Sequence, residues 1–179
     1  MATYLAFLRA INLGAVRKFP KDAIKTATES VGFTGVETYI NTGNVRLETG
    51  MRSPDRIAAK LEAAYLQDRG FDVPTMVMTR AEMAEMVAEI DDLWAEHGQP
   101  AQHSITLYAA PPASDAAEAA VAVALGSPDH VKVGNRWAHV LLGVNFHESR
   151  VLASKQFAAL GVGTARNASV IREVTKRWC

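Results

Sequence analysis

The spacing of apolar residues changes repeatedly along the chain, and each change predicts a new element. In Tyr4–Arg9 both alternating sets are apolar: Tyr4, Ala6 and Leu8 on one face, Leu5 and Phe7 on the other. That pattern predicts a strand covered on both sides. A polar loop, Asn12–Lys18, leads to Pro20, which opens a helix with Ala23, Ile24, Ala27 and Val31 at helical spacing and Gly32 at its end. Val36–Ile40 reads as a strand, Asn41-Thr42-Gly43-Asn44 as a turn, and Val45–Glu48 as a half-buried strand. Ser53-Pro54 caps the next helix, Ile57, Leu61, Ala64 and Tyr65 form its stripe, and Gly70 stops it. Phe71–Met78 is a further strand, and Pro74 assigns it to a sheet edge. The order β-α-β-β-α-β is the ferredoxin-like unit.

Thr79 and Glu82 have the spacing of a capping box. Met83, Met86, Val87 and Ile90 then follow a helical stripe, read as core packing rather than as a methionine-rich binding face. Asp91–Pro100 reads as a polar linker carrying Trp94. The earlier order then returns. Ser104–Tyr108 is a strand, Ser114–Leu125 an Ala-rich helix, Val131–Val133 a strand, Gly134-Asn135 a tight turn and Arg136–Leu142 a strand. Leu152–Leu160 is helical, and the chain ends in a helix, with Val170, Ile171, Val174 and Trp178 on one face, where a closing strand would stand. The expectation is an α+β fold of two ferredoxin-like halves, residues 1–78 and 103–179, joined by a linking helix and loop over 79–102. The second half is modified by its C-terminal helix.

Composition narrows the function classes. With 49% apolar and 21% charged residues in 179, the chain is neither disordered nor fibrous. No apolar run approaches the roughly 18 residues of a membrane span. Nineteen bases against 19 acids give no long-range attraction to nucleic acid or an anionic membrane. The single cysteine, Cys179, excludes an internal disulfide and a cysteine-rich metal site. Arg9 and Asn12 interrupt the apolar N-terminus, which reads as a core strand rather than a secretion signal, so a cytoplasmic, reducing location is the default. Charge is uneven all the same. Residues 91–130 hold six acids and no Lys or Arg, and residues 131–179 hold eight bases and two acids. This fits, first, solvated or mutually facing surfaces and, second, an anion site built partly from the C-terminal segment.

Topology locates the candidate site. A right-handed β-α-β crossover leaves the first two strands parallel with the third between them. Arg9, Asn12, Tyr39, Asn41, Thr42 and Asn44, scattered in sequence, then share one sheet edge. A guanidinium that forks onto two oxygens, with amides beside it, suits a carboxylate or phosphate. The loop adds main-chain N–H groups around Gly14, with Arg17 and Lys18. The competing reading is structural: Asn and Gly in turns serve backbone conformation, and Arg9 pairs with a nearby acid.

Three stretches carry a resemblance to the bacterial family catalogued as domain of unknown function 1697. They are Tyr4–Gly14 (YLAFLRAINLG), Gly32–Val45 (GFTGVETYINTGNV), and Ser154-Lys155 followed by Thr164–Asn167 (TARN). The resemblance implies a shared α+β fold and supplies no reaction. It carries motif positions onto Arg9, Asn12, Tyr39, Gly43, Asn44, Arg166 and Asn167. The chain departs from the family pattern at Ala10 and Ala15, where the family tends to have Gly. It departs again at Asn41-Thr42, in place of Gln-Ser, and at Ala168, in place of a tryptophan.

Other chemistries find no pattern. Histidines 97, 103, 130, 139 and 147 form no His-x-x-x-His pair, so no metal is expected, and His139 reads as a satisfied or edge-exposed strand residue. His147-Glu148-Ser149 are sequence neighbours, whereas triads assemble across a fold. Ser154-Lys155 lacks the Ser-x-x-Lys spacing, Gly161-Val162-Gly163 reads as a helix end, and no phosphate or dinucleotide loop occurs, so no cofactor is expected. The RNA-recognition module shares the strand order, but it stacks bases on central-strand aromatics. The third strand here offers Arg46 and Glu48 instead. Three classes remain: a site for a small anionic or polar ligand, binding or catalytic; an interaction or homo-oligomeric module; and RNA association, the least supported.

Overall fold

The computed structural model describes residues 1–179. The chain builds β1 (Ala2–Leu8), α1 (Lys21–Ser30), β2 (Thr34–Tyr39), β3 (Asn44–Thr49), α2 (Pro54–Arg69), β4 (Thr75–Thr79) and α3 (Arg80–His97). It then builds β5 (Gln102–Tyr108), α4 (Ser114–Ala122), β6 (His130–Val133), β7 (Trp137–Leu142), α5 (Lys155–Ala158), β8 (Gly163–Asn167) and α6 (Ala168–Trp178). Two compact units result. One is Met1–Met86 with Glu173–Cys179, the other Val87–Arg172, so the divisions fall within α3 and α6.

The first sheet has the order β2-β3-β1-β4, with every neighbouring pair antiparallel. Internal β1 is buried on both faces, as its unbroken apolar pattern requires. Tyr4, Ala6 and Leu8 pack with Ile24 and Ala27 of α1 and with Ile57, Leu61 and Tyr65 of α2. Burying each large side chain contributes about 1.5–3 kcal/mol. The hydroxyls in this layer are satisfied: Tyr4 donates to the Met51 carbonyl at 3.1 Å, the Thr28 hydroxyl meets the Tyr65 hydroxyl at 2.8 Å, and burial raises the Tyr65 phenol above its ordinary pKa. Helix α2 starts and stops on local signals. The Ser53 hydroxyl accepts from the Arg56 N–H at 3.3 Å, and Gly70 takes the left-handed C-cap. Pro74 directly precedes β4, which is an edge strand.

The second sheet repeats the order as β6-β7-β5-β8. Thr79 and Glu82 make both bonds of the capping box at the start of α3, and Asn167 Oδ1 accepts from the Ser169 N–H at the start of α6. A helix therefore follows the fourth strand in both halves.

Three local readings differ from the sequence pattern. Asp91–His97 is not linker: α3 continues through it, burying Leu93 while Asp91, Asp92 and Glu96 fill the exposed face. A closing strand does precede the last helix. Strand β8 carries no sequence signal because Thr164 and Arg166 point inward while Ala165 and Asn167 are exposed, the reverse of a half-buried strand's usual polarity. The helix expected over 152–160 is only the four residues of α5, entered through a Ser154 cap that accepts from the Phe157 N–H at 3.0 Å.

Candidate functional site

At the loop edge of the first sheet, β1 is held on both flanks to its last residue and beyond. The Leu8 N–H donates to the Gly43 carbonyl at 2.8 Å, and the Arg9 N–H donates to the Pro74 carbonyl at 2.9 Å. Arg9 leaves the sheet half-buried. The chain then enters a left-handed region that side chains other than glycine's seldom occupy: Ala10 at φ 56°, Asn12 at 56° and Arg17 at 57°. Ile40, in the β2–β3 turn, has φ 50°. These four are all the non-glycine residues of the chain with positive φ. Such positions cost on the order of 1–3 kcal/mol each and persist only where neighbouring bonds impose them.

The imposing bonds come from Asn12 and Arg17. Asn12 Nδ2 donates to the Phe19 carbonyl (3.0 Å) and to the Asn41 carbonyl (2.7 Å), and its Oδ1 accepts from the Phe19 N–H (2.8 Å). The Asn12 N–H donates to the Arg17 carbonyl at 2.9 Å and closes the loop. Arg17 donates to the carbonyls of Ala10 and Asp72 and lies over the Phe71 ring. The tip between them, Leu13–Val16, is exposed, with Leu13 at 56% and Val16 at 65%.

The facing turn is equally determined. Asn44 is fully buried and donates through Nδ2 to the Tyr39 carbonyl (3.0 Å) and to the Thr42 hydroxyl (2.9 Å). Gly43 has φ 77°, and a Cβ there would lie 2.6 Å from the Leu8 Cβ, so glycine is required twice over. The half-buried Tyr39 ring lies under the Arg177 guanidinium, 4.9 Å from its centroid. Thus Asn12 joins Asn41, and Asn44 joins Tyr39 and Thr42. Asn12 bonds main chain only, Asn44 bonds main chain and the Thr42 hydroxyl, and Asn41 and Thr42 are the exposed residues of the turn. Residues 1–21 carry Arg9, Arg17, Lys18 and Lys21 and no acid, with Asp22 and Asp72 adjoining them.

Arg166 and Asn167 stand on β8 in the second unit. Arg166 donates to the Thr164 hydroxyl (2.9 Å) and to the Ala165 carbonyl (2.8 Å), and burial lowers its guanidinium to about 10, still charged at neutral pH. Asn167 is the cap of α6.

The second unit also contains a polar chain that sequence reading missed. The Trp94 indole N–H donates to His103 Nδ1 at 3.0 Å, His103 Nε2 meets His139 Nδ1 at 3.1 Å, and His139 Nε2 meets Glu89 Oε2 at 3.0 Å. An indole can only donate, so His103 accepts at Nδ1 and carries its proton on Nε2. His139 therefore accepts at Nδ1 and donates to Glu89 through Nε2. Glu89 also takes the Trp137 indole N–H and the Lys132 ammonium at 2.9 Å. Burial, with the His139 ring beside it, holds His103 down at about 3. Burial alone would raise Glu89, but the bonds from His139, Trp137 and Lys132 outweigh it and hold the carboxyl at about 2. Glu89 lies within the span of the helical stripe, beside Ile90, and carries no local signal of its own; His139, two residues from Trp137 in a strand, is the only visible hint.

No group of three or more His, Cys, Asp or Glu side chains is arranged to hold a metal ion, and no helix is long and apolar enough to cross a membrane. Residues 1–139 match the model of a family described as "Protein of unknown function (DUF1697)". The fold is similar to that of the conserved bacterial protein SP0830 from Streptococcus pneumoniae. The TM-score is 0.70 at 16% identity, over 98% of this chain and 97% of that one. At that identity the likeness concerns the fold alone. No curated protein matches the chain.

Proposed function

We propose, from the premise that the chain belongs to the DUF1697 family of proteins of unknown function, that it is a cytoplasmic protein binding a small anionic or polar ligand at the loop edge of the first sheet. The observation that carries this reading is the gathering of all four left-handed non-glycine residues at that one edge. The ferredoxin-like topology does not demand them, because the second unit turns the same corner without any. Strain held in place by Asn12 and Arg17 preorganises a site, and preorganisation lowers the entropic cost of binding. Arg9, Lys18 and the exposed side chains of Asn41 and Thr42 are the ligand's contacts, and Asn12 and Asn44 are positioning residues. The cytoplasmic location rests on the lone Cys179 and the absence of disulfide chemistry.

The test is a thermal-shift and calorimetric screen with orthophosphate, acetate and nucleoside monophosphates. Arg9→Ala is expected to weaken the best anion by about 2–5 kcal/mol and to leave the fold intact. Unchanged affinity, or an unfolded apo variant, contradicts the proposal. A second reading has its own observation: Leu13, Val16 and Ile40 are exposed apolar residues at the same edge, which suits docking on a second copy of the chain. Under that reading, Leu13→Ser with Val16→Ser alters the sedimentation coefficient and leaves anion binding untouched.

A further inference from the structure

The β3–β4 connection of the first unit is α2, a 16-residue helix that packs on β4. The matching β7–β8 connection of the second unit holds only a three-residue 3-10 turn, Phe146–Glu148, and the four residues of α5. The strands beneath have changed to match. Register pairs Tyr4 with Thr79 and Ala6 with Val77 in the first sheet, and Ser104 with Asn167 and Thr106 with Ala165 in the second. Where the first sheet presents Tyr4 and Val77 to its helices, the second has Ser104 and Ala165.

The shortened cover and the smaller side chains leave a pocket of about 290 Å³, open to solvent on one side and lined by Gln102, Ser104, Leu142, Phe146, Ala165 and Asn167. His103 and Arg166 also line it; their register, opposite Leu141 and Ile105, leaves their main chain to do so. The pleat turns their side chains to the other face, where His103 bonds His139 and Trp94, and Arg166 bonds Thr164. No charged side chain therefore enters. The two amides are oriented by bonds they already make. Gln102 Oε1 accepts from the Phe146 N–H at 3.2 Å, and Asn167 Oδ1 accepts from the Ser169 N–H at 3.1 Å and its hydroxyl at 3.2 Å. Each is left with its NH₂ to donate, beside the Ser104 hydroxyl and an apolar floor of Leu142, Phe146 and Ala165.

We propose that this cavity binds a small neutral molecule that carries at least two hydrogen-bond acceptors on an apolar ring or chain. It is a second site, independent of the anion reading of the first sheet. Donors without a cation favour carbonyl or ring-nitrogen acceptors over phosphate, whose desolvation they cannot offset. The volume, at the lower end of ligand pockets, limits the molecule to a small one.

The experiment uses the full chain, ¹⁵N-labelled, titrated separately with coumarin and caffeine as neutral acceptor-only probes and with benzoate and orthophosphate as charged controls. The side-chain amide signals of Gln102 and Asn167 are expected to shift with a neutral probe, with a Kd at least about tenfold below that of either control, a difference of about 1.4 kcal/mol. Ala165→Leu fills the cavity and is expected to raise that Kd at least tenfold. Ser104→Ala removes one donor and is expected to raise it about two- to tenfold. If Ala165→Leu does not fold, Ser104→Val obstructs the same space and is read in the same way. The proposal is overturned if neither neutral probe shifts those amides, if a control binds as tightly, or if the filled variant binds unchanged.

Discussion

Leu5 of the first sheet and Ile105 of the second occupy the same place in the same topology, yet their neighbours differ in kind. Leu5 pairs with Arg46 and Met78, and Ile105 with His139 and Arg166. Arg46 reaches the partly exposed carboxylates of Glu37 and Glu48. His139 is fully buried, and Arg166 is 8% exposed. Two residues along, on the same face, Phe7 pairs with Asn44 and Leu107 with Trp137. The lesson is that strand order and register tolerate exchange of the residues that point into the sheet's faces, so each half has specialised differently. The first unit places its irregularity in the backbone, at the Ala10–Arg17 loop and Ile40. The second keeps a regular backbone and places its irregularity in side chains, as a buried chain from Trp94 to Glu89 and an open helix face.

The largest effect expected from breaking this contrast is at Glu89. Glu89→Ala leaves the Trp137 and His139 N–H groups and the Lys132 ammonium without their acceptor, and is expected to cost about 3–5 kcal/mol. Glu48→Ala, which breaks a partly exposed pair with Arg46, is expected to cost under about 1 kcal/mol. Urea denaturation of both variants checks this, and equal losses would dissolve the distinction between the units.

Acid should separate the units in the same sense. His103 has an ordinary pKa of 6.5 and is held at about 3 in the fold, so the unfolded chain binds the extra proton between those values. Its contribution is complete above about pH 6.5 and is lost as pH falls toward 3. Glu89, ordinarily 4.5 and held at about 2, adds a loss in the same direction below about pH 4.5. Amide hydrogen exchange between pH 7 and 4 should therefore show β5 and β7 losing protection before β1 and β3. The opposite order would refute this assignment.

Asn12→Ala removes three side-chain hydrogen bonds of the strained loop, and a loss of about 2 kcal/mol is expected, with faster exchange at the Phe19 amide. The smallest effect carries the opposite sign. Ile40→Gly relieves a β-branched residue at φ 50° and is expected to stabilise by up to about 1 kcal/mol, read from the urea midpoint. A destabilised variant would mean that the Ile40 side chain matters more than its backbone.

Elements with local signals were legible in the sequence. Ser53-Pro54 and Gly70 bracket α2, and Thr79 with Glu82 starts α3, because caps involve residues three or four apart. Strand β8 was not legible, because its inward positions are Thr164 and Arg166 and their burial depends on long-range surroundings. The second half of α3 was hidden by the acids on its exposed face. At the first edge, topology grouped Asn12 with Asn41 and Asn44 with Tyr39. It could not tell that the two interior amides serve the main chain, since their partners are set by φ angles that no residue type announces. The bond between Glu89 and His139 spans 50 residues and has no local signature at all.

The measurement that bears most directly on the division between the units is an amide-resolved NMR titration of the full chain with orthophosphate. Shifts are expected at Arg9, Leu13–Val16, Asn41 and Thr42, and none at the matching corner of the second sheet, residues 109–113 and Gly134-Asn135. Shifts of equal size at both corners, or only at the second, would contradict the account.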